Sequence, residues 1–230
     1  SLIDELSDAL LDGSGGIWTE VAAGLALARS EVAEWQGLRA AVPRRRWNWL
    51  RGRIAAKDAV RALRPGICPA DVTVASDETG RPVVLGWPAD WGAAPLVSIT
   101  HTGEIALAAS ADAAIHAGIG IDAEFVKQRD DAFLESCLSA GERALLPGPG
   151  RERDRMATWA WCAKEATAKS FGLGLEGVLD RFEVVNLEAA GATKVEDRAS
   201  GEILEARIRE DLTDGLVLAV VLRFMPRDKV

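Results

Sequence analysis

The chain has 230 residues, 48% hydrophobic and 27% charged, with a formal net charge of −8 and a pI near 5.0. Its length and apolar content suffice for a buried core and admit one large domain or two small ones. The acidic balance excludes a globally basic nucleic-acid binder, so any phosphate-rich ligand must be met by local positive charge. Cys68, Cys137 and Cys162 are widely spaced and form no CxxC pair, which argues against a disulfide framework or a structural zinc site. With only His101 and His116, a His-rich metal centre is excluded as well. No signal peptide is read at Ser1–Leu11, and no apolar run is long enough to span a bilayer. The expectation is a soluble cytoplasmic enzyme or binding module with neither nucleic acid nor membrane as partner.

In chain order, Ser7–Leu11 and Ile17–Trp35 carry Ala and Leu at helical spacing, broken at Gly13–Gly16. Pro43 opens a segment that ends at Pro65-Gly66, with its helix expected over Arg46–Leu63. Short apolar runs then predict strands at Val72–Ala75, Pro82–Leu85, Leu96–Thr100, Ile105–Ser110 and Ile115–Glu124. A turn is expected at Asp77-Glu78-Thr79-Gly80 and a hairpin connection at His101–Glu104. Helical spacing returns over Ser139–Leu145 and Arg151–Phe171, separated by Pro147–Gly150. Strands are expected again at Arg181–Leu187, Ile203–Ile208 and Leu216–Phe224. Helix then strands, twice over, predicts an α+β chain of two halves, 1–124 and 125–230, joined near Glu124–Asp131.

Three constellations carry chemistry. In Gly118-Ile119-Gly120-Ile121-Asp122-Ala123-Glu124, strand alternation puts Asp122 and Glu124 on one face. Gly118 and Gly120 lie on that same face, where they are expected to leave space for a bulky ligand. Two convergent carboxylates repel unless a cation lies between them, and hard oxygen ligands suit Mg²⁺. Read alone, the segment serves equally well as a solvated strand end. On a helix, Trp161, Glu165 and Lys169 fall four apart on one ladder, so Glu165 is a third candidate carboxylate and Lys169 a phosphate partner; the plainer reading is an ordinary Glu–Lys helix pair. In Arg44–Arg64, Arg46, Arg53, Lys57 and Arg64 lie within roughly 40° of one another around a helix, a positive stripe suited to an anionic ligand or simply a solvated face. Thr100-His101 at a strand end and Gly80-Arg81-Pro82 at a turn add a hydroxyl, an imidazole and a guanidinium.

Taken in order, these segments resemble the two-halved, surfactin-synthetase type of 4′-phosphopantetheinyl transferase. The resemblance runs from about Arg44 to about Leu175. It rests on Trp49-Leu50-Arg51-Gly52-Arg53-Ile54-Ala55-Ala56-Lys57, Gly80-Arg81-Pro82, Ser98-Ile99-Thr100-His101-Thr102, Gly120-Ile121-Asp122-Ala123-Glu124 and Trp161-Cys162-Ala163-Lys164-Glu165-Ala166-Thr167-Ala168-Lys169. Thr100 stands where the family often has Ser, and Arg81 where it often has Lys; hydroxyl and charge are kept. The resemblance implies two similar α+β halves related by a pseudo-twofold axis, with coenzyme A in the cleft between them. It implies Asp122, Glu124 and Glu165 as ligands of Mg²⁺, with Mn²⁺ as an alternative, and Asp122, Glu165 and Lys169 as the catalytic set. Arg46, Arg53, Lys57, Gly80, Arg81, Thr100, His101 and Lys169 would hold coenzyme A.

The implied reaction moves 4′-phosphopantetheine to a serine of an acyl or peptidyl carrier protein, releases 3′,5′-ADP, and activates polyketide, fatty-acid or nonribosomal-peptide synthases. The enzyme would be monomeric or fused to a synthase. Two alternatives stand beside it. A Mg²⁺-dependent hydrolase of a nucleotide diphosphate explains the carboxylates and the basic stripe but not the ordered motifs. A non-catalytic carrier-protein docking module is disfavoured by the joint presence of Asp122, Glu165 and Lys169.

Overall fold

The computed structural model describes residues 17–174, 179–188, 192–210 and 215–226, so the expectations for Ser7–Leu11 and Gly13–Gly16 lie outside the described residues. The chain divides into two compact units, one up to Asp112 and one from Ala113. The sequence expectation put the division at 124/125. It falls earlier because the strand His116–Phe125 is hydrogen-bonded along its length to Leu216–Phe224 and so belongs to the second unit.

The first unit opens with helices α1 (Ile17–Ala26) and α2 (Val32–Gly37), followed by the long α3 (Pro43–Leu63). Pro43 begins α3 because proline fits the first helical turn, where its missing N–H is not needed. Leu50, Ala56 and Val60 are fully buried along this helix. Ala56 and Val60 pack on Val72, Val74, Val84 and Val97, while Trp47 and Leu50 pack with Ala23, Leu27 and Trp35. Two antiparallel ribbons complete the unit: β1 (Thr73–Ser76) with β2 (Pro82–Leu85), and β3 (Leu96–Thr102) with β4 (Ile105–Ala111). The β3–β4 turn is only Gly103-Glu104, so His101 and Thr102 are strand residues rather than part of the connection.

The second unit is a five-stranded sheet covered on one face by a helix. Its elements are β5 (His116–Phe125), α4 (Asp131–Cys137), α5 (Ala140–Ala144), α6 (Arg151–Ser170), β6 (Phe182–Leu187), β7 (Ala192–Asp197), β8 (Glu202–Glu210) and β9 (Leu216–Phe224). The strands run β5-β9-β8-β7-β6, each antiparallel to its neighbour, and α6 touches all of them. Ala157, Ala160, Ala163 and Ala166 give α6 a thin face that beds onto Val184, Val195, Ala206, Val217, Ala219 and Val221. No helix among the described residues is long and apolar enough to cross a membrane.

One buried polar device occurs in both units. In the first, the Glu31 carboxylate accepts hydrogen bonds from the backbone N–H of Ala28 (2.7 Å) and of Val74 (2.9 Å) and from Lys57 Nζ, which also donates to the Ala26 carbonyl (2.7 Å). In the second, the Glu142 carboxylate accepts from the N–H of Ser139 (2.6 Å) and of Val184 (2.8 Å) and from Lys164 Nζ (2.8 Å), which also donates to the Cys137 carbonyl (3.3 Å). Both pairs are buried. A buried charge is tolerated only when paired and fully hydrogen-bonded, and here one carboxylate ties a long helix, a short one-turn element and a strand together. The two units share this internal plan, as two similar α+β halves should.

Gly118 and Gly120 differ from expectation. They lie on the carboxylate face of β5, but that space is filled by the backbone of α6: a Cβ at Gly118 would fall on the Ser170 carbonyl and one at Gly120 on the Ala166 carbonyl. The glycines admit the helix, not a ligand. Gly120→Ala is therefore expected to destabilise by about 3 kcal/mol or more. Gly24→Ala, in α1 with nothing near its added methyl, should stabilise by about 0.5–1 kcal/mol. Denaturant unfolding of the two variants checks this; equal effects would contradict the close approach.

Candidate functional site

On α6 the residues facing inward are buried and the ladder Trp161, Glu165, Lys169 is the half-open stripe. Asp122 projects from β5 toward that stripe. Lys169 Nζ donates to Asp122 Oδ1 at 2.7 Å and lies 3.5 Å from Glu165 Oε2. Asp122 is almost wholly buried, whereas Glu124, Glu165 and Lys169 keep about a quarter of their side-chain surface open, at 29, 22 and 26%. Burial raises the Glu165 carboxyl above its ordinary value, the charges of Asp122 and Glu124 add to this, and Lys169 opposes it. Three carboxylates from two distant segments therefore feel one another across the β5–α6 contact.

Part of the counter-charge at this cluster comes from the chain itself. Lys169 provides positive charge to Asp122 and Glu165, and Arg129 Nη2 lies 3.9 Å from Glu124 Oε2. Among the described residues no group of three or more His, Cys, Asp or Glu is closed up as a metal-binding set. The donor chemistry suits a hard cation, since all three candidates are carboxylates and two are half-open.

Arg129 was not singled out from sequence. It is buried, its guanidinium lies 4.2 Å from the Phe133 ring centre, and its N–H is anchored by Asp154. An isolated arginine in a loop after Glu124 gives no periodic signal. Cys162, one turn before Glu165 on α6, is fully buried, and burial pushes its thiol well up, with Asp122 and Glu124 adding to the effect.

In the first unit three of the four cations of the basic stripe are engaged with carboxylates while Arg64 is exposed, which corrects the reading of the stripe as one open face. Lys57 is fully buried in the Glu31 clamp, and burial lowers its ammonium from the usual lysine range against the opposing pull of Glu31. Arg53 is buried over the Trp49 ring, 3.9 Å from Glu31 and 3.8 Å from Glu34. Arg46 donates to Glu20 at 2.6 Å and covers Trp35. These cations neutralise carboxylates of the preceding segments. The exposed cations of α3 include Arg44 and Arg45 in its first turn.

His101 and Arg81 are open. The His101 ring lies against the backbone of α3, with Nε2 2.9 Å from the Asn48 carbonyl, and a Cβ at Gly52 would meet Nε2 at 2.8 Å. Gly52 is thus the residue that admits the imidazole. Thr100 is buried, and strand alternation sends it to the opposite face of β3. Arg81 follows a turn built by Asp77, whose carboxylate accepts from the N–H groups of Thr79 and Arg81 and from Arg81 Nε at 3.0 Å; Gly80 supplies the positive φ of 84°.

A titration checks the second cluster. Because the Glu165 carboxyl of the metal-free protein titrates above its ordinary 4.5, its folded form holds the proton more tightly than the unfolded chain. The stability it contributes is present at low pH and is lost as pH rises through the folded value. Wild type minus Glu165→Gln in unfolding free energy should therefore fall with rising pH from about 4.5 upward, and Lys169→Met should move the Glu165 carbon resonance to titrate higher still. An ordinary Glu165 titration would contradict the burial and charge coupling.

Residues 33–111 match the model of the 4′-phosphopantetheinyl transferase N-terminal domain, and residues 118–221 match the model of the 4′-phosphopantetheinyl transferase superfamily. No curated protein matches the chain. The second match takes in Asp122, Glu124, Glu165 and Lys169, and the first takes in Arg81 and His101. The chain therefore carries a 4′-phosphopantetheinyl transferase superfamily domain preceded by that family's N-terminal domain.

Proposed function

We propose that this chain transfers the 4′-phosphopantetheine group of coenzyme A to a serine of an acyl or peptidyl carrier protein. The observation that carries this reading is the cluster in which Asp122 from β5 and Glu165 from α6 meet one ammonium, Lys169, with Glu124 beside them, inside the segment matched to the superfamily. Asp122, Glu124 and Glu165 would hold Mg²⁺, or Mn²⁺ in its place, which when bound would offset charge on the diphosphate and the leaving group.

The chain's own residues do the rest. Lys169 gives its ammonium to a diphosphate oxygen and stabilises charge as it shifts toward the leaving group. Glu165 accepts the proton of the carrier serine, directly or through water, as the serine oxygen attacks the β-phosphorus. The phosphorus–oxygen bond to the nucleotide breaks and 3′,5′-ADP departs with its electron pair. In the first unit, His101 and Arg81 are the assigned contacts of the 3′-phosphate and the adenine end, with Gly80 shaping the turn that presents Arg81 and Thr100 supporting the strand that presents His101.

Asp122→Ala and Glu165→Ala are expected to lower transfer at least about 100-fold with the fold intact, because each removes a metal ligand rather than a core contact. Glu124→Ala should be milder, since a ligand that acts through water can be partly replaced by water. Transfer measured across Mg²⁺ and Mn²⁺ titrations, with circular dichroism as the folding control, decides this. Near-normal activity in Asp122→Ala or Glu165→Ala, or full wild-type activity in excess chelator, would contradict it. In the same assay, Arg81→Gln and His101→Gln should raise the KM for coenzyme A more than for dephospho-coenzyme A; equal losses would remove them from the 3′-phosphate.

A further inference from the structure

We infer that Lys164 and Glu142 are positioning residues that set Glu165 and Lys169 against Asp122, an inference that rests on the proposed metal-site reading. The sequence reading gave Lys164 no role, although it precedes Glu165 directly.

The argument starts from how α6 is held. Along β5 it lies in the groove made by Gly118 and Gly120, against its own Ser170 and Ala166 carbonyls. That contact is backbone on backbone and favours close approach, but it carries no directional bond that fixes how the helix is rotated. A slip of one residue would move Glu165 by about 1.5 Å along the axis and about 100° around it, taking it off the Asp122 side altogether. At the other edge of the sheet, Lys164 Nζ donates to Glu142 Oε2, and the same carboxylate is fixed by the N–H groups of Val184 in β6 and Ser139 before α5. Glu142 is wholly buried, so this bond is directional, shielded from water and tied to two other elements. Lys169 and Arg155 also bond from α6 to Asp122 and Glu210, but both of those bonds are part-buried, whereas the clamp is the fully buried one that fixes the rotation beside Glu165.

The first unit supplies the matched control. Its clamp has the same layout: a glutamate that accepts from the N–H three residues before it, a strand N–H on the other oxygen, and a helix lysine that also meets the carbonyl two residues before that cap. The residue after Lys57 is Asp58, which is exposed and pairs with Arg61 on its own helix rather than with a carboxylate cluster. A clamp that merely stabilises should behave alike in both units.

The test compares two neutral, near-isosteric pairs in the full chain, Lys164→Met with Glu142→Gln and Lys57→Met with Glu31→Gln. Neutralising both partners leaves no uncompensated buried charge, so the pairs are expected to cost less than the single variants; Lys164→Arg serves as a second, charge-retaining variant. Mn²⁺ is titrated in the presence of coenzyme A, with free Mn²⁺ followed by electron paramagnetic resonance and folding by circular dichroism. The Lys164/Glu142 pair should weaken Mn²⁺ binding about 10- to 100-fold, with Lys164→Arg intermediate. The Lys57/Glu31 pair should leave the affinity within about twofold of wild type, as expected of a residue outside the metal's supporting shell. Equal Mn²⁺ affinity in both pairs, whether both fall or neither does, would overturn the positioning role. If wild type takes up no Mn²⁺ that Asp122→Asn abolishes, it is the metal-site reading that fails instead.

Discussion

A carboxylate withdrawn from water has to be met by donors on every side, and the two buried glutamates among the described residues organise the folds around them. Glu31 and Glu142 each gather a helix lysine and two backbone N–H groups from separate elements. Removing the lysine alone would leave a buried charge without compensation, at a cost of about 3–5 kcal/mol. The same device therefore stabilises each unit and dictates where its long helix lies. In the second unit that helix carries Glu165 and Lys169, so a structural requirement of the core becomes a geometric requirement of the candidate site.

The site itself is a balance of charge. Asp122, Glu124 and Glu165 are coupled strongly enough that burial and mutual repulsion raise Glu165, while Lys169 and Arg129 oppose that repulsion. Lys169 is the neutralising partner of Asp122 and Glu165; under the proposed reading a divalent cation shares that task, and the ammonium becomes available to a phosphate oxygen. The arrangement suits chemistry in which a metal ion and an anionic substrate arrive together, because each supplies the counter-charge that the other displaces.

Much of this was legible in the sequence, and what was not has physical reasons. Strand alternation placed Asp122 and Glu124 on one face, and helical spacing placed Trp161, Glu165 and Lys169 on one stripe; the structure keeps both. The basic stripe on α3 was real as geometry but only partly as surface, since the orientation of Arg46, Arg53 and Lys57 depends on Glu20, Glu31 and Glu34, carboxylates in earlier segments with no local signature. Strand β7 escaped notice because its inward positions are Thr193, Val195 and Asp197, so its alternation is not one of hydrophobicity. Asp197 is nonetheless satisfied by Arg181, which holds its carboxyl down to about 2. The glycines of β5 were read as room for a ligand because sequence shows an absent side chain but not what fills its place.

The most direct measurement is the intact mass of a purified carrier protein after incubation with coenzyme A, Mg²⁺ and this chain. The account predicts a gain of one phosphopantetheine group on the carrier serine, release of 3′,5′-ADP in equal amount, and loss of both with Asp122→Ala. A carrier of unchanged mass, with coenzyme A cleaved equally well in the carrier's absence, would contradict the transferase reading and point to hydrolysis instead.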